Sequence, residues 1–271
     1  FGTPCDVLRA RFGDQLFDDG FDTAIASAVE FVVACEADGV HVASLWGEDY
    51  PKQLRTVHDA PPILFWQGHF DLRDEDAVAI VGTRNPDHAG SEFAHSLATT
   101  LAMNDIPVVS GLARGIDGLA LRTAIAAHGR TVGVIGTGHD RAYPPEHAEL
   151  QREVANHLLI SQFKPGTSIS KRNFPMRNVV MSGFASLTMI VQAGETSGTR
   201  IQARAAVKHG RPLVISSSVY QSADWAKQLV RDHYDVTVVR TADDAYEAIA
   251  EIHARRREIA EGWNSGAQLV G

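Results

Sequence analysis

The chain has only two cysteines in 271 residues, Cys5 and Cys35, with no CxxC and no paired spacing. That argues against a disulfide framework and makes a reducing, cytoplasmic compartment the expectation. No apolar run approaches the roughly 18 residues that span a bilayer, and the N-terminus lacks a basic-then-apolar signal pattern, so no membrane role is expected. Catalytic signatures are missing as well. There is no P-loop, HExxH, GxSxG or zinc-type cluster, and the histidines are scattered. No catalytic residue, metal site or cofactor is therefore expected. Positive charge is also in deficit: a formal net charge of −8 argues against indiscriminate nucleic-acid binding, because an acidic surface field repels phosphate.

What the chain does have is alternation. Val78-Ala79-Ile80-Val81 is a short apolar run that stops at Gly82-Thr83-Arg84, with helix resuming over 88–103. Pro107-Val108-Val109 repeats the pattern and ends at Ser110-Gly111, with Arg114-Gly115 following and Asp117 expected as the cap of the next helix. Thr131 to Ile135 runs into a third turn at Gly136-Thr137-Gly138, and Leu187 to Val191 into a fourth at Ser197-Gly198-Thr199. Strand, glycine turn and helix in succession predict an α/β, Rossmann-like, mostly parallel sheet with helices on both faces. At such turns backbone N–H groups and helix N-termini face one crevice, where an anion, most often phosphate, is the natural guest. The apolar content, 44%, is ample for that core. The expected organisation is a small mixed N-terminal region (1–72), the core (73–250) and a C-terminal helix or tail (251–271).

The cations are unevenly placed. Between residues 161 and 211 stand Lys164, Lys171, Arg172, Arg177, Arg200, Arg204, Lys208 and Arg211, opposed only by Glu195. This predicts a basic cleft on an acidic body. Within the block, Phe174 before a proline and between cations suits a base-stacking face flanked by phosphate contacts, although a core plug would read the same way.

These blocks resemble the DprA/Smf family of bacterial DNA-processing proteins: Gly82-Thr83-Arg84, Ser110 to Asp117, Gly136-Thr137-Gly138 with Tyr143-Pro144, Phe174 to Asn178, and Ser197-Gly198-Thr199. The resemblance covers roughly residues 50–249. It implies a Rossmann-like core that binds single-stranded DNA, acts in DNA uptake and recombination (natural transformation), helps load a RecA-type recombinase, and forms a homodimer. On that reading Arg84, Arg114, Lys171 and Arg177 neutralise phosphates, Phe174 stacks a base, and Gly82, Gly111, Gly136 and Ser197 to Thr199 hold the strand through backbone. Thr83, Ser110, Gly115, Asp117, Gly138 and Asn178 complete the expected DNA-binding set. The chain departs from the family pattern at Leu121, Val179, Gln192 and Ser216-Ser217-Ser218.

A rival shares the superfamily. The lonely-guy phosphoribohydrolases place a catalytic Glu three residues after the Thr of a Gly-Thr turn, whereas here Thr199 is followed at that distance by Gln202. An amide cannot act as a carboxylate base, so the expectation is a binding protein and not an enzyme. The alternative kept open is a nucleotide or second-messenger sensor of the same fold.

Overall fold

The computed structural model describes residues 19–267, and their side chains over 23–261. The chain divides into two compact units, Phe1–Val42 and Ala43–Gly271. In the first, α1 spans Asp19–Ala37. Residues before 19 lie outside the described part.

The elements that follow are β1 (His41–Ser44), α2 (Lys52–Arg55), β2 (Ile63–Gly68), β3 (Val78–Val81), α3 (His88–Met103), β4 (Val108–Ser110) and α4 (Ile116–Ala126). Next come β5 (Thr131–Ile135), α5 (Ala148–Ala155), β6 (Leu158–Ser161), α6 (Asn173–Phe184), β7 (Leu187–Ile190) and α7 (Thr199–Lys208). The series ends with β8 (Leu213–Ser216), α8 (Ser217–Ser222), α9 (Asp224–Arg231), β9 (Val236–Val239) and α10 (Ala242–Ala267). The strands form one sheet in the order β1-β2-β6-β5-β4-β3-β7-β8-β9. Across the sheet from β6 to β9 neighbouring strands pair in parallel, while β2 runs antiparallel to β6, with Trp66 opposite Ile160. The alternating α/β pattern is thus the architecture that the apolar runs predict, and β2 is a strand the sequence reading leaves unassigned.

Strand period two explains why these runs are wholly apolar. Val78 and Ile80 pack on one face with Leu97, Leu101 and Ile249; Ala79 and Val81 pack on the other with Val180, Phe184 and Trp225. Both faces are covered by helices, so no strand position can be polar without a partner. The serines closing three strands satisfy this rule. Ser110, Ser161 and Ser216 each donate to a carbonyl beside the neighbouring strand end: Ile80 (2.7 Å), Thr137 (2.7 Å) and Val191 (2.6 Å). Ser216 also caps α8 by accepting from the Val219 N–H, so Ser216-Ser217-Ser218 starts a helix here.

Chain direction across the sheet decides where a ligand can go. From β3 the connections proceed through β4, β5 and β6 to one side, and from β7 through β8 and β9 to the other. Neighbouring β3 and β7 therefore send their C-terminal loops apart, which opens a crevice at this switch point. No helix among the described residues is long and apolar enough to cross a membrane.

Candidate nucleic-acid interface

A cavity of about 470 Å³ occupies that crevice. Gly82, Thr83 and Arg84 line it from the turn after β3, and Ser197, Gly198 and Thr199 from the turn before α7. Phe174, Arg177 and Asn178 reach it from the first turns of α6, and Asp117 from α4. Gly111 and Arg114 lie beside it, lining a small recess shared with Arg84, Tyr143, Phe174 and Arg177. Ser110, Gly115, Gly136, Gly138 and Lys171 line neither. The fourfold set of turns thus divides: those at Gly82 and Gly198 border the cavity, Gly111 borders the recess, and Gly136 supports it from behind.

The floor is built from two buried groups of opposite charge, Asp117 and Arg177. Asp117, expected to cap a helix, sits inside the first turn of α4, whose N-cap is Gly115. Its carboxylate is drawn inward because three backbone N–H groups converge on it, those of Gly111 (3.2 Å), Gly82 and Ala113, with Arg177 alongside. Burial pushes the Asp117 carboxyl up, against the pull of Arg177 and the three donors. Arg177, expected to meet phosphate, is itself buried. Its guanidinium donates to the Gly111 and Val134 carbonyls, the latter at 2.8 Å, and to Asn178 Oδ1 at 3.0 Å. Gly111 is glycine for this reason: a Cβ there would overlap the guanidinium. Burial lowers the Arg177 pKa, but a guanidinium stays charged at neutral pH. Arg177 and Asp117 together tie the ends of β3, β4 and β5.

The rim is different in kind. Arg84 is exposed and forms no ion pair with any described residue. Arg114 is exposed but paired with Glu146, a partner the sequence reading did not anticipate. Lys171 is exposed just before α6. Of the wider basic block, Arg211 is used internally, donating to the Gln53 carbonyl (2.9 Å) and the Gly183 carbonyl (3.0 Å), and Arg200 lies 4.0 Å from Glu195. The basic surface at the cleft is accordingly smaller than the block of eight suggests. The α7 N-terminus adds the positive end of its dipole, with Ser197 Oγ donating to Thr199 Oγ1 at 2.8 Å.

Phe174 combines both readings. Its ring is half-buried, lines both cavities and packs against Tyr143 at 5.1 Å between centroids. It also lies over Gly136, where a Cβ would approach the ring to 3.1 Å, so Gly136 is what lets the ring lie flat. Tyr143 belongs to a block recognised in the sequence but was given no role there.

Gln192 and Gln202, which the sequence marks only by contrast with other patterns, take definite places in the fold. Gln192 Nε2 donates to Asp87 Oδ2 (2.8 Å) while its Oε1 accepts the Asp87 N–H (3.1 Å), and Asp87 caps α3 by accepting from the Gly90 N–H (2.8 Å). An acid at 192 would face a carboxylate, so the amide is the complementary choice. Gln202 is buried against the cavity, with Nε2 donating to Thr188 Oγ1 at 3.3 Å and no partner for Oε1.

A family model described as DNA recombination-mediator protein A matches residues 41–250. The chain belongs to this DprA/Smf family. The DNA processing protein DprA of Bacillus subtilis is 32% identical over 231 residues, which cover 84% of this chain and 77% of that one. DprA of Streptococcus pneumoniae is 36% identical over 171 residues; this chain spans 60% of its length, with 63% of its own residues aligned. Among solved structures, pneumococcal DprA superposes with a TM-score of 0.68 at 30% identity, covering 76% of this chain and 73% of that one. The Helicobacter pylori protein, described by its single-stranded DNA binding mode, superposes at 0.66 and 26% identity over 78% of this chain and 96% of that one.

Proposed function

We propose that the chain binds single-stranded DNA in the switch-point cavity and leaves it chemically unchanged, acting in DNA processing and recombination. The observation that carries this reading is the pairing of an aromatic face, Phe174, with an exposed cation that has no ion pair among the described residues, Arg84, at a helix N-terminus. A single strand offers both unstacked bases and phosphates to such a pair, whereas a duplex hides the bases. Phe174 stacks a base; Arg84 and Lys171 meet phosphates, and Arg114 joins them by exchanging Glu146 for phosphate. Arg177 and Asp117 position the turns. Family membership and the Helicobacter relative support the same reading. Loading of a RecA-type recombinase, a homodimeric state and a cytoplasmic location are parts of the proposal.

Hydrolysis is disfavoured because Gln202 offers an amide tied to Thr188 where the rival hydrolases hold a carboxylate. The cavity volume also suits a mononucleotide, which keeps the sensor reading as an alternative. Titration with labelled oligo-dT, a matched duplex and a nucleotide panel separates them. The expected result is preference for the single strand and a log-log salt slope of about −2, from roughly −0.7 for each of three phosphate contacts. Equal affinity for duplex, or tight nucleotide binding with a flat salt response, would overturn it.

A further inference from the structure

We propose that His58, Asp59 and His209 form a site for one divalent transition-metal ion of the zinc class. The site would clip the loop after α2 to the C-terminal end of α7. One ligand atom from each residue lies within 4.8 Å of the other two. Around tetrahedral zinc, donors at about 2.0–2.1 Å stand roughly 3.3 Å apart. The 2.7 Å separation of His209 Nε2 and Asp59 Oδ1 needs to open by roughly half an ångström, and His58 needs to close inward. The loop permits this, since the side chains of His58 and Asp59 are 64% and 38% exposed, while the His209 imidazole is fully buried and held.

Ser182 makes His209 a competent ligand. Its hydroxyl lies 2.8 Å from His209 Nδ1 and 3.2 Å from the Val179 carbonyl. With the hydroxyl proton on Nδ1, Nε2–H donates to Asp59, which is the metal-free arrangement. With that proton turned to Val179, Nδ1–H donates to the hydroxyl, and the Nε2 lone pair faces Asp59. Two acceptors 2.7 Å apart require a cation between them. The Ser182 hydroxyl can thus pair Nδ1 in either tautomer by rotating, while the ring exchanges protons with solvent, losing one from Nε2 and gaining one at Nδ1; such a partner is what metal-binding histidines require.

The surroundings favour a cation in part. His209 is the C-cap of the ten-residue α7, at the negative end of its dipole, and Asp59 supplies a full charge, while Arg211 opposes. Two imidazoles and a carboxylate select zinc-like ions over magnesium or calcium, and three protein ligands leave a fourth position for water. The site is separate from the cleft, because α7 begins there with Thr199 and runs about 15 Å to its other end.

The test uses untagged protein, with Zn²⁺ followed by calorimetry and Co²⁺ by visible absorption. The expected result is one ion per chain, tetrahedral cobalt bands, and a melting temperature raised by zinc. Ser182→Ala should weaken zinc binding roughly 10–100-fold, and the exposed changes His58→Ala and Asp59→Asn at least as much. Absence of stoichiometric binding, or undiminished binding in the His58→Ala, Asp59→Asn double variant, would overturn the site.

Discussion

Arg84 and Arg177 border the same cavity, yet Arg84 is exposed and without an ion pair among the described residues, whereas Arg177 is 7% exposed with carbonyls and an amide on its donors. The two belong to neighbouring parts of one site that obey different rules. At the floor, a buried charge persists only because Asp117 and backbone acceptors replace its water. At the rim, charge stays hydrated and available, so a ligand phosphate can take the place of solvent. A cation near a ligand cavity is thus evidence for binding only when its donors are free or, as at Arg114, held by an exposed partner that a phosphate can replace.

The sharpest way to break this contrast is to exchange the sites of damage. Arg177→Met leaves Asp117 buried without its charge partner and should cost about 3–5 kcal/mol of stability, measured by denaturant unfolding. A stable Arg177→Met protein with weakened DNA binding would make Arg177 a rim residue after all. A smaller effect is expected at the lock beneath α3. Gln192→Glu sets a carboxylate against Asp87 and should lower the melting temperature by about 2–4 °C, less at high salt. No change, or equal loss at every ionic strength, would show that the amide is not selected by Asp87. Smallest of the three is the rim itself. Arg84→Ala should leave melting unchanged, weaken binding about equally for every oligonucleotide sequence, and make the salt slope shallower by roughly 0.7. An unaltered slope would remove Arg84 from the phosphate contacts.

The alternation of strand, turn and helix was legible because its signals are local: Val78–Val81, His88–Met103 and Thr131–Ile135 appear with the expected bounds. The orientation of individual side chains was not. Nothing local distinguishes Arg177 from Arg84, since the direction of a guanidinium depends on Gly111 and Val134, 66 and 43 residues away. Asp117 reads as a cap by position, and only the fold shows three N–H groups competing for its carboxylate. Strand β2 was obscured because its antiparallel partner β6 lies beyond three other strands in the chain. The histidines looked scattered for the same reason, with Asp59 and His209 separated by 150 positions and brought to 2.7 Å.

Phe174 is where floor and rim meet, and its replacement tests single-strand binding in the cavity most directly. Phe174→Ala should be measured by melting and by oligo-dT titration on the same preparation. Stacking on a base requires a loss of about 1–3 kcal/mol in single-strand affinity with little change in melting temperature. A loss of roughly 3–5 kcal/mol in stability, with affinity for the single strand unchanged, would instead make the ring a core plug over Gly136 and contradict the account.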